Sequence, residues 1–358
     1  MVSRLKDLLK GDAIKKIRKL HGAGILSKAS EFNTAKVPRI PTGIFMYDYA
    51  LGGGYPVGRV NVVWGHKSAA KTTTFLKTLA NAQKMCAACW QYQPCKCGEY
   101  RAPAICFLDV EGTLDLPWAA KLGVDLEEMA LSIPEYAEQT LDIAEAVVRN
   151  GIDILVIDSL AFLTPMKEIE ESVAKETVGL QARILGKGIR KFISAINAVR
   201  NETGQPPTLF FTNQVRMKVG VMFGNPETQP GGLAHGFASA TETKLGAGKY
   251  EMDDVLGQPV TAEFRYRIEK NKVSAAKMTG DFTLCMSNTE WRKVGDPINE
   301  PDMIKMAEKI GIVTGSGSSW TALGEKYRAK SLITKDLVEN PEFYQKMYGA
   351  LMNLLLSD

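Results

Sequence analysis

The hydrophobic positions of the chain fall into short continuous runs separated by stretches of helical period. Residues 59–65, "RVNVVWG", form a β-branched apolar run that passes through a glycine-containing loop into residues 71–85, "KTTTFLKTLANAQKM", where Phe75, Leu79 and Ala82 are spaced for one helical face. Three further apolar runs follow. "AICFLDVEG" (104–112) closes on Asp109 and Glu111, "IDILVIDSLAFL" (152–163) stays apolar up to Asp158, and "TLFFTNQ" (208–214) ends in Asn213 and Gln214. Continuous apolar runs divided by helices predict parallel strands buried on both faces, hence an α/β fold with a mostly parallel central sheet. Ligands of such sheets bind at the carboxyl ends of the strands, where all these polar residues fall.

Other segments carry different patterns. Residues 179–201, "GLQARILGKGIRKFISAINAVRN", predict a helix with Arg183, Lys187, Arg190 and Lys191 on one side and Phe192, Ile196 and Val199 continuing the buried side. "RYRIEKNKV" (265–273) alternates as a strand and places Lys270 and Lys272 on one face. Residues 215–233, "VRMKVGVMFGNPETQPGGL", show neither period and contain several glycines, as a long functional loop does. Its Arg216 and Lys218 suit phosphate groups and Phe223 could wedge beside a base, although an active-site lid would read the same way. At the start, basic residues from Arg4 to Lys19 surround Leu5, Leu8, Leu9 and Ile17 and predict one solvated amphipathic helix. At the end, "KVGDPINEP" (293–301) reads as a polar hinge before a helix near 301–310, a hairpin-like "SSWTALGEKYRAKS" (318–331) and a last helix opened by Asn340-Pro341.

Composition changes this picture little. The 358 residues are 45% hydrophobic and 23% charged with a net charge of +4, too weak a balance to establish a nucleic-acid partner. No apolar run is long enough to span a membrane and no cleavable leader is evident, so the expected location is cytoplasmic.

Two motifs carry candidate chemistry. In "GHKSAAKTTT" (65–74), Gly65, Lys71 and Thr72 stand at phosphate-loop spacing, with His66, Lys67, Ser68, Ala69 and Ala70 between them and Thr73 after. Backbone N–H groups at the opening of the helix would face the phosphates, Lys71 would reach the β- and γ-phosphates, and Thr72 with Asp158 would hold Mg²⁺. The usual glycine before the lysine is Ala70, acceptable if that residue has helical dihedrals and its methyl points away from the phosphates. The second motif, "CAACWQYQPCKC", sets four of the six cysteines as Cys86-x2-Cys89-x5-Cys95-x-Cys97, which suggests one tetrahedral Zn²⁺, with a redox pair or coincidence as the alternatives. A helix of ~14 residues at ~1.5 Å each would put this insertion ~20 Å from the nucleotide, a structural rather than catalytic position.

These blocks, together with "PTGIFMYDYALGGGYPVGR", "LVIDSLAFLTPMKEIE", "NQVRMKVGVMFGNPETQPGG" and "EKNKV", resemble the bacterial RecA recombinase family in its own order over nearly the whole chain. The resemblance implies a RecA-like ATPase core at 36–290 carrying the insertion at 86–97. It also implies an N-terminal oligomerisation arm at 1–35 and a small C-terminal α/β lobe at 291–358 whose Lys326, Arg328, Lys330 and Lys335 suit duplex DNA. It further implies that Glu111 orients the attacking water, Gln214 senses the γ-phosphate, and Asp115 and Trp118 contact adenine. Residues 168–176 and the loop after Gln214 would be the two DNA-binding loops, with Arg183 and Arg190 tracking the backbone, and Lys270 and Lys272 would reach the γ-phosphate of a neighbouring subunit. The implied function is ATP-dependent strand exchange by a helical filament on single-stranded DNA that pairs it with a duplex. A hexameric helicase motor and a non-hydrolysing ATP-dependent DNA scaffold are the rivals. Ala69-Ala70, the cysteine insertion and the missing acidic tail mark a divergent member, of bacterial or phage origin.

Overall fold

The computed structural model describes residues 4–21, 26, 37–171, 179–217, 226–230, 236 and 238–357. The basic N-terminal stretch is two helices rather than the single one expected, α1 (Arg4–Lys10) and α2 (Asp12–His21). Gly11 interrupts them, its N–H turning back to Leu8 O at 3.1 Å. The Arg18 guanidinium donates to Leu26 O at 2.6 Å. The rest of "GILSKASEF" lies outside the described residues.

The core then runs β1 (Arg39–Ile40), α3 (Phe45–Leu51), β2 (Tyr55–Pro56), β3 (Val60–Gly65), α4 (Lys71–Ala82), β4 (Ile105–Asp109), α5 (Leu116–Lys121), β5 (Met129–Ser132) and α6 (Ala137–Arg149). It continues with β6 (Ile154–Asp158), α7 (Met166–Glu170), α8 (Leu180–Thr203), β7 (Thr208–Gln214), the short strands β8 (Arg216–Met217) and β9 (Glu227–Thr228), β10 (Thr241–Met252), β11 (Pro259–Asn271) and β12 (Thr279–Cys285). Eight strands form one sheet in the order β12-β11-β10-β3-β7-β6-β4-β5. The pairs from β10 to β5 are parallel, while β11 and β12 are added antiparallel at one edge.

The four runs read as strands are the four adjacent central ones, and every residue of β3, β4 and β6 is buried. On one face, Val63, Phe107, Val156 and Phe210 pack under Phe75, Leu76 and Leu79 of α4. On the other, Val62, Leu108, Ile157 and Phe211 meet Leu141 of α6 and Leu185 and Phe192 of α8. A fully buried side chain of this size contributes ~1.5–3 kcal/mol of transfer free energy, so the two filled faces stabilise the sheet strongly. The two helices of the second face approach closely at Gly188, where a Cβ would lie 2.5 Å from Leu141 Cδ2. In β11 the alternation is as expected, with Phe264, Tyr266 and Ile268 buried between exposed Arg265 and Arg267. Lys272 stands one position past the end of that strand.

The C-terminal segment comprises α9 (Glu300–Lys309), β13 (Val313–Ser316), β14 (Ser319–Ala322), β15 (Glu325–Tyr327), α10 (Lys330–Glu339) and α11 (Pro341–Leu355). The expected hairpin is the last two strands of a three-stranded sheet and runs on into α10. Asn340 caps α11 as its residue type predicts, accepting from the N–H groups of Glu342 and Phe343. This segment does not close its core alone. Phe45 of α3 is buried among Met303, Ile304, Leu337, Phe343 and Met347. Beside it, Asn299 accepts from Phe45 N at 3.0 Å and donates to Gly43 O at 2.8 Å and to Tyr344 Oη at 2.6 Å. Tyr348 donates across the same junction to buried Asp48 at 2.9 Å.

Asn299→Ala would leave the buried N–H of Phe45 and the half-buried C=O of Gly43 without this partner, at ~1–3 kcal/mol for a fully buried group and less for the carbonyl. Urea denaturation is expected to show a loss of about 3 kcal/mol; a loss below about 1 kcal/mol would mean that these bonds do not hold the junction.

Candidate active site

The carboxyl ends of β3, β4, β6 and β7 converge, as parallel register requires: Gly65 lies beside Gln214, and Asp109 beside Asp158. At the first of these ends Gly65 is obligatory, because a Cβ there would stand 2.1 Å from Leu245 O on β10. The chain turns through residues 66–70 and enters α4 at Lys71. Lys71 Nζ donates to Gly65 O at 3.2 Å and to His66 O at 2.7 Å, folding back over the loop. Its burial lowers its pKa, while Asp158 and Glu111 pull the other way.

Ala70 has φ 57° and ψ 24°, a left-handed conformation, and Ser68 has φ 55°. The right-handed dihedrals expected at Ala70 are therefore not adopted. Ala70 packs, half-buried, against the apolar cluster in which Ala69 is buried. The loop thus keeps the backbone shape that a glycine would take freely, at ~1–2 kcal/mol of strain for an L-residue.

Asp158 is the centre of the acidic side. Its Oδ2 accepts from Thr72 Oγ1 at 2.6 Å and its Oδ1 from Thr212 Oγ1. Burial raises its pKa, and the bonds from Thr212 and Thr72 oppose that. Next to it, Glu111 Oε1 accepts from Ser159 Oγ at 2.7 Å and from Gln214 Nε2 at 3.1 Å. The sequence singles out Lys71, Thr72, Glu111, Asp158 and Gln214 separately, and the fold brings them into one connected site. Thr212 and Ser159 escaped notice. Thr212 had a signal, since it is a polar residue two positions before Gln214 on the same strand face.

Other expected residues are placed differently. Asp115 caps α5, accepting from Trp118 N at 2.9 Å, and half-buried Trp118 packs on the core. Lys270 Nζ donates to Gly236 O and to Ser239 Oγ, the latter at 3.1 Å. Its pKa is lowered by burial and then by the charge of nearby Lys272. Register puts this pair at the edge of the sheet away from the loop: Asn271 faces Thr241, which faces Asn61, whereas Leu245 faces Gly65. Arg183, Lys187 and Arg190 are exposed on α8, and Lys191 pairs with Glu145 at 3.0 Å. Arg216 is exposed on β8, while Lys218 and Phe223 of the expected DNA loop, and residues 172–176 of the other, lie outside the described residues. In the C-terminal segment Lys330 is paired with Glu308 at 3.0 Å.

The four cysteines of the insertion come together, with all Sγ atoms within 4.8 Å of one another. Cys86–Cys97 is 3.7 Å and Cys95–Cys97 3.3 Å. A tetrahedron of Zn–S bonds of ~2.3 Å has S–S edges of ~3.8 Å, whereas a disulfide needs ~2.05 Å. The insertion is rooted in the core by Met85, Ala87 and Trp90, and Arg101 closes it with bonds of 2.5 and 2.6 Å to Asp153.

A family profile described as the RecA N-terminal domain matches residues 9–289. The chain is also similar to proteins named RecA. It is 36% identical to that of Cutibacterium acnes over 96% of this chain and 90% of the relative. It is 34% identical to that of Aquifex pyrophilus over 94% and 88%, and 36% identical to that of Francisella tularensis subsp. novicida over 96% and 88%.

Replacing Ala70 with glycine should relieve the left-handed strain but add ~0.5–1 kcal/mol of unfolded-chain entropy. With the packed methyl of Ala70 also lost, the expected result is stability to urea unchanged within about 1 kcal/mol, and ATP affinity within about tenfold of the parent. A protein destabilised by more than about 1 kcal/mol would contradict the left-handed assignment.

Proposed function

Because the chain belongs to the RecA family, whose members are DNA-dependent ATPases of recombination and repair, we propose that its own residues divide that work as follows. ATP lies over residues 65–73, its phosphates facing the N–H groups at the start of α4 and the Lys71 ammonium, which exchanges its carbonyl partners for phosphate oxygens. Thr72 and Asp158 form an oxygen-donor pair of the kind Mg²⁺ takes, and they would hold it; the ion, when bound, neutralises charge between the β- and γ-phosphates. Glu111 takes the proton of the attacking water. The observation that carries this role is the clamp on Oε1 by Ser159 and Gln214, since among the described residues no protein group bonds Oε2. That leaves Oε2 to orient water, and Gln214 links the base to the chain that runs on to Arg216.

Asp115 and Trp118 border the adenine side, the first fixed by its capping bond and the second by its packing on the core. DNA phosphates meet Arg216 and the exposed face of α8 at Arg183 and Arg190. Contacts of that kind are weakly sequence-dependent and salt-sensitive. The domain reading follows the same lines, with residues 1–35 as the arm, 36–290 as the ATPase core and 291–358 as a DNA-binding lobe. Cys86, Cys89, Cys95 and Cys97 hold one structural Zn²⁺. The S–S spacing supports this, and the insertion follows the far end of the 12-residue α4, ~18 Å along from its start.

Lys270 and Lys272 act in the neighbouring subunit's site. Their place supports this: Asn61 and Gly65 are four residues apart along β3, ~13 Å, so the lysines are at the wrong edge to serve their own loop. Two ammonium groups beside the γ-phosphate would stabilise charge on the transferred phosphoryl group. Hydrolysis then requires the filament.

Lys270→Ala/Lys272→Ala and Glu111→Gln proteins are each expected to lose nearly all single-stranded-DNA-stimulated turnover. Mixed filaments, with co-assembly established by DNA binding, should recover a minority of it. No recovery at any ratio would show that the lysines do not act in trans. For the metal, elemental analysis should find one zinc per chain, and Cys95→Ser should lower both zinc content and melting temperature; a zinc-free protein of unchanged melting temperature would refute the site.

A further inference from the structure

We infer that Glu227 is a positioning residue that couples DNA contact to the phosphate loop through the side chain of His66. The inference rests on the recombinase reading above. β8 and β9 pair antiparallel, Arg216 facing Thr228 and Met217 facing Glu227, and make a short stem directly after β7. The first strand of the stem is joined to the site through Gln214 and its bond to Glu111. The second strand has a separate root. Glu227 Oε1 meets His66 Nε2 at 3.0 Å, and its Oε2 accepts from the Lys244 ammonium.

Both partners belong to the machinery that shapes the loop. His66 follows Gly65, and its carbonyl is the nearer of the two that hold Lys71. The residue that Glu227 grips by the ring thus grips the loop lysine by its backbone. Lys244 stands in register with Trp64, the residue before Gly65, and its Nζ lies 5.1 Å from that ring's centroid. Trp64 is itself fixed by a 3.0 Å bond from Nε1 to Glu269. The stem is tied to β7 as well, since Asn213 Nδ2 donates to Gln229 Oε1 at 3.3 Å and to Pro230 O at 3.1 Å.

Arg216 is the exposed cation of this stem, across from Thr228 and one step from Glu227. A phosphate drawn to Arg216 therefore bears on a strand pair with two roots in the nucleotide site, one at Glu111 and one at His66. Glu227 is 19% exposed and His66 61%, so the bond adds little stability, and its effect is on where the loop and the stem sit relative to each other. Coupling of this kind is reciprocal: nucleotide tightens DNA by the factor by which DNA tightens nucleotide.

The test reads that factor directly. The affinity of the full chain for a short single-stranded oligonucleotide is measured with and without a non-hydrolysable ATP analogue, in the parent, Glu227→Ala, Glu227→Gln, His66→Ala and the Glu227→Ala/His66→Ala double variant. Glu227→Ala should lower the ratio of the two affinities about fivefold, equivalent to about 1 kcal/mol, with analogue affinity in the absence of DNA unchanged within about twofold. His66→Ala should lower the ratio by a similar factor, and the double variant no further than Glu227→Ala, because the bond between these two side chains is already lost in either single variant. Glu227→Gln keeps an oxygen for His66 and should keep most of the ratio. Mere structural damage would weaken DNA binding with and without nucleotide alike. Single variants with the parent's ratio, effects that multiply in the double variant, or a glutamine variant as poor as the alanine one would each overturn the His66 route. A parent whose DNA binding is indifferent to nucleotide would instead sink the recombinase reading and this inference with it.

Discussion

The carboxylate of Asp158 is the joint on which the nucleotide side of the molecule depends. An ionised carboxylate taken out of water costs several kcal/mol unless hydrogen bonds replace the lost hydration. Here two threonine hydroxyls do so, Thr72 from the first turn of α4 and Thr212 from the end of β7. One buried charge thereby fixes a helix start and two strand ends, with Lys71 as the counter-charge above it. Because the Thr72 hydroxyl donates to Asp158, its oxygen lone pairs stay available to an oxygen-seeking cation, while Thr212 is fully buried. The strand ends are in turn held by the packed faces of the sheet, so the site inherits its precision from residues that never touch a ligand.

Much of this was legible in the residues. The four central strands announced themselves because burial on both faces forces continuous apolar runs, and their polar last residues marked the ligand edge. Strand β10 was harder to see, since it alternates buried and half-buried residues and ends exposed, and alternation over a few residues is a weak signal. What the sequence concealed were facts of backbone shape and long-range contact. Alanine reveals nothing of a left-handed φ at Ala70, because residue type biases that angle without setting it. Gly11 could have been a tolerated helical glycine, yet it separates two helices. The stem contacts of Glu227 join residues 161 positions apart at His66 and have no local signature.

The alanine pair also shows how a phosphate loop can change its letters and keep its form. Ala69 is buried in the cluster beneath the sheet and Ala70 leans on the same cluster. Packing of two methyl groups can offset part of the strain that a left-handed alanine carries, about 0.8 kcal/mol for each buried methyl-sized group. The family pattern and this chain's pattern are then two solutions to one geometric demand, one using conformational freedom and the other using contact.

The junction at Phe45 bears on movement. The residues after 291 begin as a polar stretch that reads as a hinge, yet the lobe they lead to has its apolar centre completed by a helix from the start of the core and is bolted there by Asn299 and Tyr348. A lobe mounted this way cannot swing on its tether. It behaves as an outrigger fixed to the hull, and any ligand it took would keep a set distance from the phosphate loop of the same chain.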